Sequence, residues 1–319
     1  MAAKAKCDAV LIIGFGGPTR AYEVRPFLDN VLRGRPIPPE RYEEVVHHYD
    51  LLGGRSPYND LTMRQAAALR AELEKKGVRM PVAVGMRNWK PYVADAMRAL
   101  ADSGARRVLG FIMAAHRSEA SFERYQAMVN DARAELGEAA PEFVYPQPWH
   151  DHPLFVTAVA SRAREALSRL DPPERSRARL IFTAHSIPLA MAQAGPYVDQ
   201  LTQSARIVAA DLGIDTWQFA YQSRSGNPRE PWLEPDIKDT LRSLDAKTAV
   251  VVPIGFLCDH VEVLYDLDIQ AAQVARDAGI RMERAPTVGD HPLFIEMMAS
   301  IVAAHARQSI RRDGYRPTN

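Results

Sequence analysis

The chain has 319 residues, of which 47% are hydrophobic and 25% charged, and its formal net charge is +1. This length predicts about two domains of ~150 residues each, and the balanced charge gives no indication of a nucleic-acid partner. No apolar run approaches the ~20 residues of a membrane-spanning helix. The N-terminus also lacks the apolar core of a signal peptide, so we expect a cytoplasmic protein.

The two cysteines, Cys7 and Cys258, further limit the possible classes of protein. They are too few for a disulfide framework. Alone they cannot supply the thiolates of an iron–sulfur cluster.

The first half of the chain alternates apolar runs with helical patterns. The run from Asp8 to Phe15 is nearly continuous, which is typical of a parallel strand buried on both faces. It ends at Gly16-Gly17, but the G-x-G-x-x-G spacing of a dinucleotide site is absent. Further strands are predicted at 80–86, 107–114 and 142–145, with helices ending near Lys76 and spanning 91–103 and 121–136.

The second half repeats this pattern, with strands predicted at 179–182, 216–221, 248–256 and 281–284. The pentapeptide Asp-His-Pro-Leu-Phe occurs at 151–155 and again at 290–294, opening helices that we expect to reach 170 and 307. Its equivalent placement indicates two similar halves. The alternative is that an Asp cap followed by Pro is simply a favourable helix start.

These elements predict an α/β fold of two similar doubly wound, Rossmann-like domains, each with a parallel four-stranded sheet. We place the first domain at 1–148 and the second at 149–289, with the helix 290–307 packing back on the first. Ligands of open α/β sheets bind at the carboxyl ends of the strands. The active site is therefore expected in the cleft between the domains, near His116, His185 and Glu262.

His185 follows a buried strand in the segment Thr183-Ala184-His185-Ser186-Ile187-Pro188. A histidine at a strand end is often only a structural group. Near neutral pH, however, its imidazole can accept a proton or bind a metal.

A row of polar side chains follows another strand end. Glu262 begins a helix, and Asp266 and Gln270 lie four and eight residues further on, which places all three on one face. The row is either a solvated helix face or a line of oxygen ligands for a hard cation. Asp259 and His260 stand at its inner end, where His260 can hold Glu262 in place.

An aromatic wall is a further feature of the expected site. Trp232 follows the strand end Tyr221-Gln222-Ser223 and a loop containing Gly226 and Pro228. It is either a core residue or a wall for a flat ligand. The residues together indicate metal handling or proton transfer on a planar substrate, without the H-E-x-x-H, G-x-S-x-G or P-loop motifs.

At these residues the sequence resembles the ferrochelatases over nearly its whole length, most specifically at 183–188, 221–235 and 256–268. The resemblance implies a chelatase-like fold and insertion of Fe²⁺ into a porphyrin with release of two protons. Iron is then a substrate, and neither an organic cofactor nor a cluster-binding cysteine-rich tail is expected.

The resemblance also implies roles for individual residues. His185 and Glu262 are the catalytic pair, with Glu262 facing His185 across the porphyrin, and Asp266 joins them as a metal ligand on an acidic path. The implied porphyrin-binding residues are Phe15, Ser56, Arg87, His116, Tyr125, Trp232, Asp259 and His260.

The choice between protoporphyrin IX and coproporphyrin III rests on departures from the family pattern. Members that use coproporphyrin III have a tyrosine at Phe15 and arginines at Leu32 and His48, whereas Arg87 matches the protoporphyrin type. Candidate propionate donors are Arg33, Arg35, Ser56, Arg87 and Tyr125, and candidate vinyl contacts are Phe15, Leu32 and Met86. These residues favour protoporphyrin IX, whereas the missing membrane lip and His116 resemble the coproporphyrin III type, so both porphyrins stay open.

Other features of the sequence concern partners and rival functions. The short, charged region 22–52 lacks a hydrophobic lip, so we expect at most peripheral membrane contact. We also expect a monomer. Gln270 replaces a glutamate, which argues against a second outer metal site. The alternatives are a non-catalytic tetrapyrrole or haem carrier, and a cobalt or nickel chelatase acting on an earlier tetrapyrrole.

Overall fold

The computed structural model describes residues 6–225 and 229–306, which form two parallel four-stranded sheets with flanking helices. The sheets have the orders β2-β1-β3-β4 and β6-β5-β7-β8, so the two halves share one strand order. This confirms the predicted fold class. The strands are β1 Ala9–Gly14, β2 Val82–Met86, β3 Arg107–Ile112, β4 Glu142–Val144, β5 Arg179–His185, β6 Trp217–Gln222, β7 Thr248–Val252 and β8 Arg281–Arg284.

The helices connect successive strands and cover the sheets. In the first half they are α1 Val24–Leu32, α2 Pro39–Leu51, α3 Tyr58–Lys75, α4 Val93–Asp102 and α5 Arg124–Leu136. The second half has α6 Pro153–Ser168, α7 Pro172–Arg177, α8 Leu189–Gln193, α9 Tyr197–Leu212, α10 Ile237–Arg242, α11 Val261–Val263, α12 Ala272–Asp277 and α13 Pro292–His305. Short 3₁₀ turns lie at Ala21–Glu23 and Gly137–Ala139, and π-helical segments at Glu119–Glu123 and Leu264–Ala271.

Strand β1 shows why its sequence is continuously apolar. Val10 and Ile12 belong to the large core that also contains Phe182 of β5, while Leu11 and Ile13 pack on the opposite face of the sheet. Both faces are therefore buried, as a parallel strand with helices on each side requires. The core that contains Val10 and Phe182 spans both sheets and joins the two halves.

The repeated pentapeptide begins a helix in both halves, but its histidine caps the helix, whereas the sequence suggested its aspartate. Nδ1 of His152 accepts the N–H of Leu154 at 3.2 Å, and Nδ1 of His291 accepts that of Leu293 at 3.3 Å. A ring nitrogen can satisfy one of the unpaired N–H groups of a first turn. The first aspartate instead accepts from Gln203, which fixes the neighbouring loop.

The last helix joins the two halves. α13 packs against α3 and α6, and the backbone N–H of Cys7 donates to the carbonyl of His305 at 2.6 Å. Its expected final residue, Arg307, lies outside the described residues. Gln65 of α3 adds a second link by donating to the carbonyls of Leu257 and Gly289.

Two strand ends differ from the predicted bounds in ways that matter for function. β5 continues three residues beyond Phe182, so that His185 is its last residue, while β7 ends at Val252 and the chain turns through Pro253 to Asp259. Because the sheet is parallel and β5 pairs with both β6 and β7, these chain ends emerge at the same edge.

Candidate active site

His185 is held at the end of β5 by its neighbours. Its ring Nδ1 contacts the carbonyl oxygen of Ser186, and the hydroxyl of Tyr197 donates to the carbonyl of His185 at 3.0 Å. A carbonyl can only accept, so Nδ1 carries a proton. The other nitrogen, Nε2, is therefore the one available to a metal or a proton.

Glu262 meets this nitrogen from α11. Its Oε1 lies 3.7 Å from Nε2 of His185, an ion-pair distance that is longer than a hydrogen bond. The Glu262 backbone is fixed on both sides, because its N–H donates to Nδ1 of His260 at 3.2 Å and its carbonyl accepts from Nε2 of Gln222 at 2.6 Å. The structure thus brings together the two residues that the sequence predicted as the catalytic pair.

The charges of this pair depend on each other. Burial alone would lower the pKa of His185, but the neighbouring Glu262 carboxylate outweighs it and holds the pKa above its ordinary value. Burial would raise the pKa of Glu262, and His185 reverses this and holds the pKa below its usual range. Side-chain exposures of 30% and 39% let water moderate both effects. Near neutral pH the metal-free pair is an imidazolium and a carboxylate.

The expected placement of Glu262 across the porphyrin is wrong for this geometry. A flat ring needs about 3.5 Å of contact distance on each face, and the two side chains are only 3.7 Å apart. No macrocycle fits between them. His185 and Glu262 instead converge on one point, where both can contact the same cation.

Asp266 lies beyond Glu262 on the π-helical segment Leu264–Ala271. Its carboxylate accepts from the hydroxyl of Ser223 and, together with Gln270, lines a polar cavity of about 120 Å³. Burial and then the charge of Glu262 raise the pKa of Asp266 to about 7, against the effect of Ser223. Turns of this π type are frequent at functional sites.

His48 and Tyr265 bound the same region from opposite halves. Their rings stack with centroids 3.6 Å apart and an interplanar angle of 18°. His48 belongs to α2 and also lines the Asp266 cavity, so this stack closes part of the cleft between the halves.

Asp259 and His260 support the site from behind. Asp259 accepts from the guanidinium of Arg284 at 3.0 Å and from the N–H of Thr287 at 3.4 Å. The His260 ring lies edge-on to Phe256 and near Tyr58, besides accepting from Glu262. Both side chains position the loop. The sequence predicted this role for His260, namely that it holds Glu262 in place.

Arg87 and Tyr125 form another part of the cleft. The Arg87 guanidinium lies over the Tyr125 ring, 5.5 Å from its centroid, and its buried Nε has no hydrogen-bond partner. Burial lowers the pKa of Arg87, and the charges of Arg33, Arg124 and Arg35 add to this effect. Several guanidinium groups thus lie within electrostatic reach of one another.

Two predicted pocket residues lie beside glycine-rich or proline-rich turns. Ser56 is 4% exposed and packs so closely under Gly17 that a Cβ there would lie 2.8 Å from the Ser56 Cβ. Trp232 pairs with Pro188, which places it beside the His185 loop, and its buried Nε1 has no acceptor. Gly226 and Pro228, in the loop before Trp232, lie outside the described residues.

His116 is not accessible to a porphyrin in this structure, which corrects the sequence prediction. It is 3% exposed, its Nε2 lies 3.0 Å from Oγ of Ser204, and its ring packs edge-on against Phe155. The strand end that carries His116 is covered by α6 and α9 of the other half. Phe15, by contrast, is half-buried, with its ring edge-on to Phe27.

Comparison with known proteins matches this arrangement. The ferrochelatase family profile covers residues 7–306. The chain belongs to the ferrochelatase family. A ferrochelatase from Rhodopirellula baltica is 41% identical over 299 residues, which cover 92% of this chain and 85% of the relative. A coproporphyrin III ferrochelatase from Mycolicibacterium smegmatis is 42% identical over 301 residues, covering 92% of this chain and 88% of that protein.

Solved structures of chelatases share the fold. The sirohydrochlorin chelatase SirB from Bacillus subtilis subspecies spizizenii, solved with cobalt, superposes with a TM-score of 0.55 at 15% identity, covering 93% of this chain and 94% of that chain. CbiX, a terminal enzyme of sirohaem biosynthesis, gives 0.52 at 16% identity over 94% of this chain and 100% of that chain. At these identities the likeness concerns the fold alone.

Family membership makes this ferrochelatase an enzyme that inserts ferrous iron into a porphyrin, as the sequence predicted. Iron and porphyrin are its substrates. Within residues 6–225 and 229–306, no cluster of three or more His, Cys, Asp and Glu side chains can hold a metal ion. Over the same ranges, no helix is both long enough and apolar enough to cross a bilayer.

Sequence reasoning missed several residues of the ferrochelatase site. Gln222 was recognised only as a strand end, yet it holds the Glu262 backbone. Tyr197 and Tyr265 carried no signal, because their contacts with His185 and His48 come from distant elements. The pairing of His185 with Gln222 across β5 and β6 would have required knowledge of the register.

Proposed function

We propose that this ferrochelatase acts on coproporphyrin III, although the pocket residues of the sequence favoured protoporphyrin IX. Relatives named coproporphyrin III ferrochelatase include those of Mycolicibacterium smegmatis and Mycobacterium leprae, at 42% and 41% identity. Coproporphyrin III carries four propionates and protoporphyrin IX two. The proposal therefore depends on how many carboxylates the cleft can pair.

The observation that carries the proposal is the group of arginines at the cleft. Burial lowers the pKa of Arg87, whose buried Nε has no hydrogen-bond partner, and the charges of Arg33 and Arg35 add to this effect. The Arg35 guanidinium donates to the backbone carbonyls of Leu32 and Val31. Neighbouring guanidinium groups favour an anionic ligand, because each can bind a carboxylate in a bidentate manner.

The apolar wall expected for two vinyl groups is incomplete. Met86 is 0% exposed, so it belongs to the core and cannot contact a porphyrin. Phe15 and Leu32 remain half-buried, and Leu32 lines a groove with Arg35. Of the three candidate vinyl contacts, Phe15 and Leu32 are therefore the two that remain available.

The chemistry proposed for the pair follows from the orientation of its atoms. Fe²⁺ displaces the proton from Nε2 of His185 to solvent and is held by this nitrogen together with the Glu262 carboxylate, both of them suitable ligands for iron. When iron passes to the four pyrrole nitrogens, the imidazole and the carboxylate are both released. The imidazole then keeps one of the two pyrrole protons and the carboxylate passes the other to solvent, so the pair returns to its starting state and protons and charges balance.

Asp266 supplies the route to this pair in our proposal. Its carboxylate faces the cavity of about 120 Å³ that reaches Glu44 and Asp236, which are partly exposed. Burial costs a cation its hydration, and oxygen ligands along the way offset that cost. The residue feeds iron to Glu262 and His185.

The porphyrin preference is tested by measuring kcat/KM with coproporphyrin III and protoporphyrin IX at equal Fe²⁺. We expect at least a tenfold preference for coproporphyrin III, which corresponds to about 1.4 kcal/mol in transition-state binding. The variant Arg87→Met should reduce this preference, while Arg242→Met, an exposed arginine of α10, should not. Equal or higher kcat/KM with protoporphyrin IX would overturn the proposal.

A further inference from the structure

Gln222 lies between the strand end that carries His185 and the helix that carries Glu262. It is the last residue of β6 and pairs in register with His185. Its backbone carbonyl accepts the N–H of Ser186 at 2.8 Å, and its side-chain Nε2 donates to the carbonyl of Glu262 at 2.6 Å. One residue therefore contacts the loops that carry both members of the pair.

The oxygen of the same amide has no partner in the structure. Gln222 is 1% exposed, and its Oε1 is buried without a hydrogen bond, while the residue lines the Asp266 cavity. Its orientation is set by chemistry, because the Glu262 carbonyl can only accept and so requires the NH₂ end. The remaining end of the amide is an acceptor with no donor.

A second buried atom without a hydrogen bond belongs to a residue of the same cavity. His48 is 9% exposed, and its Nε2 makes no hydrogen bond, with Oε1 of Glu44 at the longer ion-pair distance of 3.8 Å. Buried polar atoms are nearly always satisfied by protein, water or an ion. Two such atoms beside the Asp266 carboxylate indicate that the cavity holds a polar or charged occupant.

The charged side chains at the rim of the cavity are paired with one another. Arg41 is paired with Glu44 at 2.7 Å, and Lys238 lies 3.9 Å from Asp236. These pairs neutralise each other at the surface, and Arg224, which also lines the cavity, donates to the carbonyl of Glu230 at 3.0 Å. The inner end is left with the Asp266 carboxylate and the amide oxygen of Gln222.

We propose that Oε1 of Gln222 is an oxygen ligand for the divalent cation as it passes from Asp266 to the His185–Glu262 pair. The amide is suited to this step, since it adds a ligand without adding a charge that would trap the ion. The hydrogen bond from its Nε2 to the backbone carbonyl of Glu262 fixes the amide beside the residue that receives the ion. The inference rests on the metal path proposed above and adds a ligand to it.

The test compares Gln222→Met with Gln222→Glu, using Zn²⁺ binding to the porphyrin-free protein by calorimetry and the KM for Fe²⁺ and for porphyrin. Gln222→Met removes the oxygen and keeps the length, so we expect Zn²⁺ affinity to fall at least tenfold, KM for Fe²⁺ to rise, and KM for porphyrin to change less than twofold. Gln222→Glu retains an oxygen and should bind Zn²⁺ at least as tightly as the parent.

Gln200→Met is the matched control, since Gln200 is also buried and accepts the N–H of Arg117 away from the cavity. Equal weakening of Zn²⁺ binding in both Gln222 variants would show that the residue only holds Glu262, and unchanged binding in Gln222→Met would show that water alone occupies the cavity. Either result overturns the inference. If Gln222→Met does not fold, loss of more than threefold in Gln222→Glu overturns it.

The variant Glu262→Gln separates this inference from the proposed function. If Glu262→Gln binds Zn²⁺ weakly while Gln222→Met binds it like the parent, the role of Gln222 is wrong and the proposed metal pair stands. Parent-like binding in Glu262→Gln would remove the proposed metal pair itself.

Discussion

Nε2 of His185 and Oε1 of Glu262 lie 3.7 Å apart on the same side of the cleft. In our proposal this spacing lets the two side chains bind one cation together. The predictions below follow from that pair and from the residues that position it.

Replacing His185 by alanine should reduce iron insertion by about 10²–10⁴-fold, the range typical of a proton-transfer group. Porphyrin binding should remain, because the arginines of the cleft are untouched. Turnover and porphyrin titration by visible absorbance measure the two effects. His47→Ala, an exposed histidine on α2, is the control, and an His185→Ala enzyme with more than a tenth of parental turnover would contradict the assignment.

The pair should also make stability depend on pH. Burial lowers and Glu262 raises the pKa of His185, to a net value of about 9 in the folded protein, above the ordinary ~6.5. The ion pair therefore contributes fully below about pH 6.5 and is lost as the pH rises through about 9.

We expect the stability advantage of the parent over Glu262→Gln to shrink between pH 6.5 and pH 10. Urea unfolding at several pH values measures the difference in the free energy of unfolding. An advantage that stays constant over this range would mean that the two side chains are not coupled.

Asp266→Asn should raise the apparent KM for Fe²⁺ by on the order of tenfold, because residues that support a metal site change affinity by about that factor or more. The kcat at saturating iron should change less, since Asp266 delivers the ion without holding it during insertion. Asp277→Asn, at the exposed end of α12, serves as the comparison. An unaltered iron dependence would assign Asp266 to a structural role with Ser223.

Gly255→Ala should lower both stability and activity. A Cβ on Gly255 would lie 2.6 Å from the Cβ of Ala184, the residue before His185, so the end of β5 must move. Overpacking of this kind costs about 1–3 kcal/mol. Gly195→Ala is the matched control, because its nearest heavy atom would be 3.8 Å away. Thermal unfolding and turnover measure the two effects. Equal behaviour of the two variants would contradict the expectation.

Much of the fold was predictable because it follows from local pattern. Continuous apolar runs such as that of β1 predict buried parallel strands, and their alternation with helical patterns predicts a doubly wound sheet. The carboxyl ends of parallel strands share an edge, so His185 and Glu262 could be expected near each other. The helix starts at Pro153 and Pro292 were also predictable, but which side chain caps them was not.

The sequence by itself determined the strands and the shared strand edge, and it predicted which two residues form the catalytic pair. Only the tertiary structure decided which side of the cleft each side chain occupies. His116 and Met86 follow or end strands as His185 does, but packing from the other half or the neighbouring turn buries them. Gln222 acquires its role from Glu262, 40 positions away, and Tyr265 from His48 in the opposite half. These contacts depend on register and on how the two halves meet.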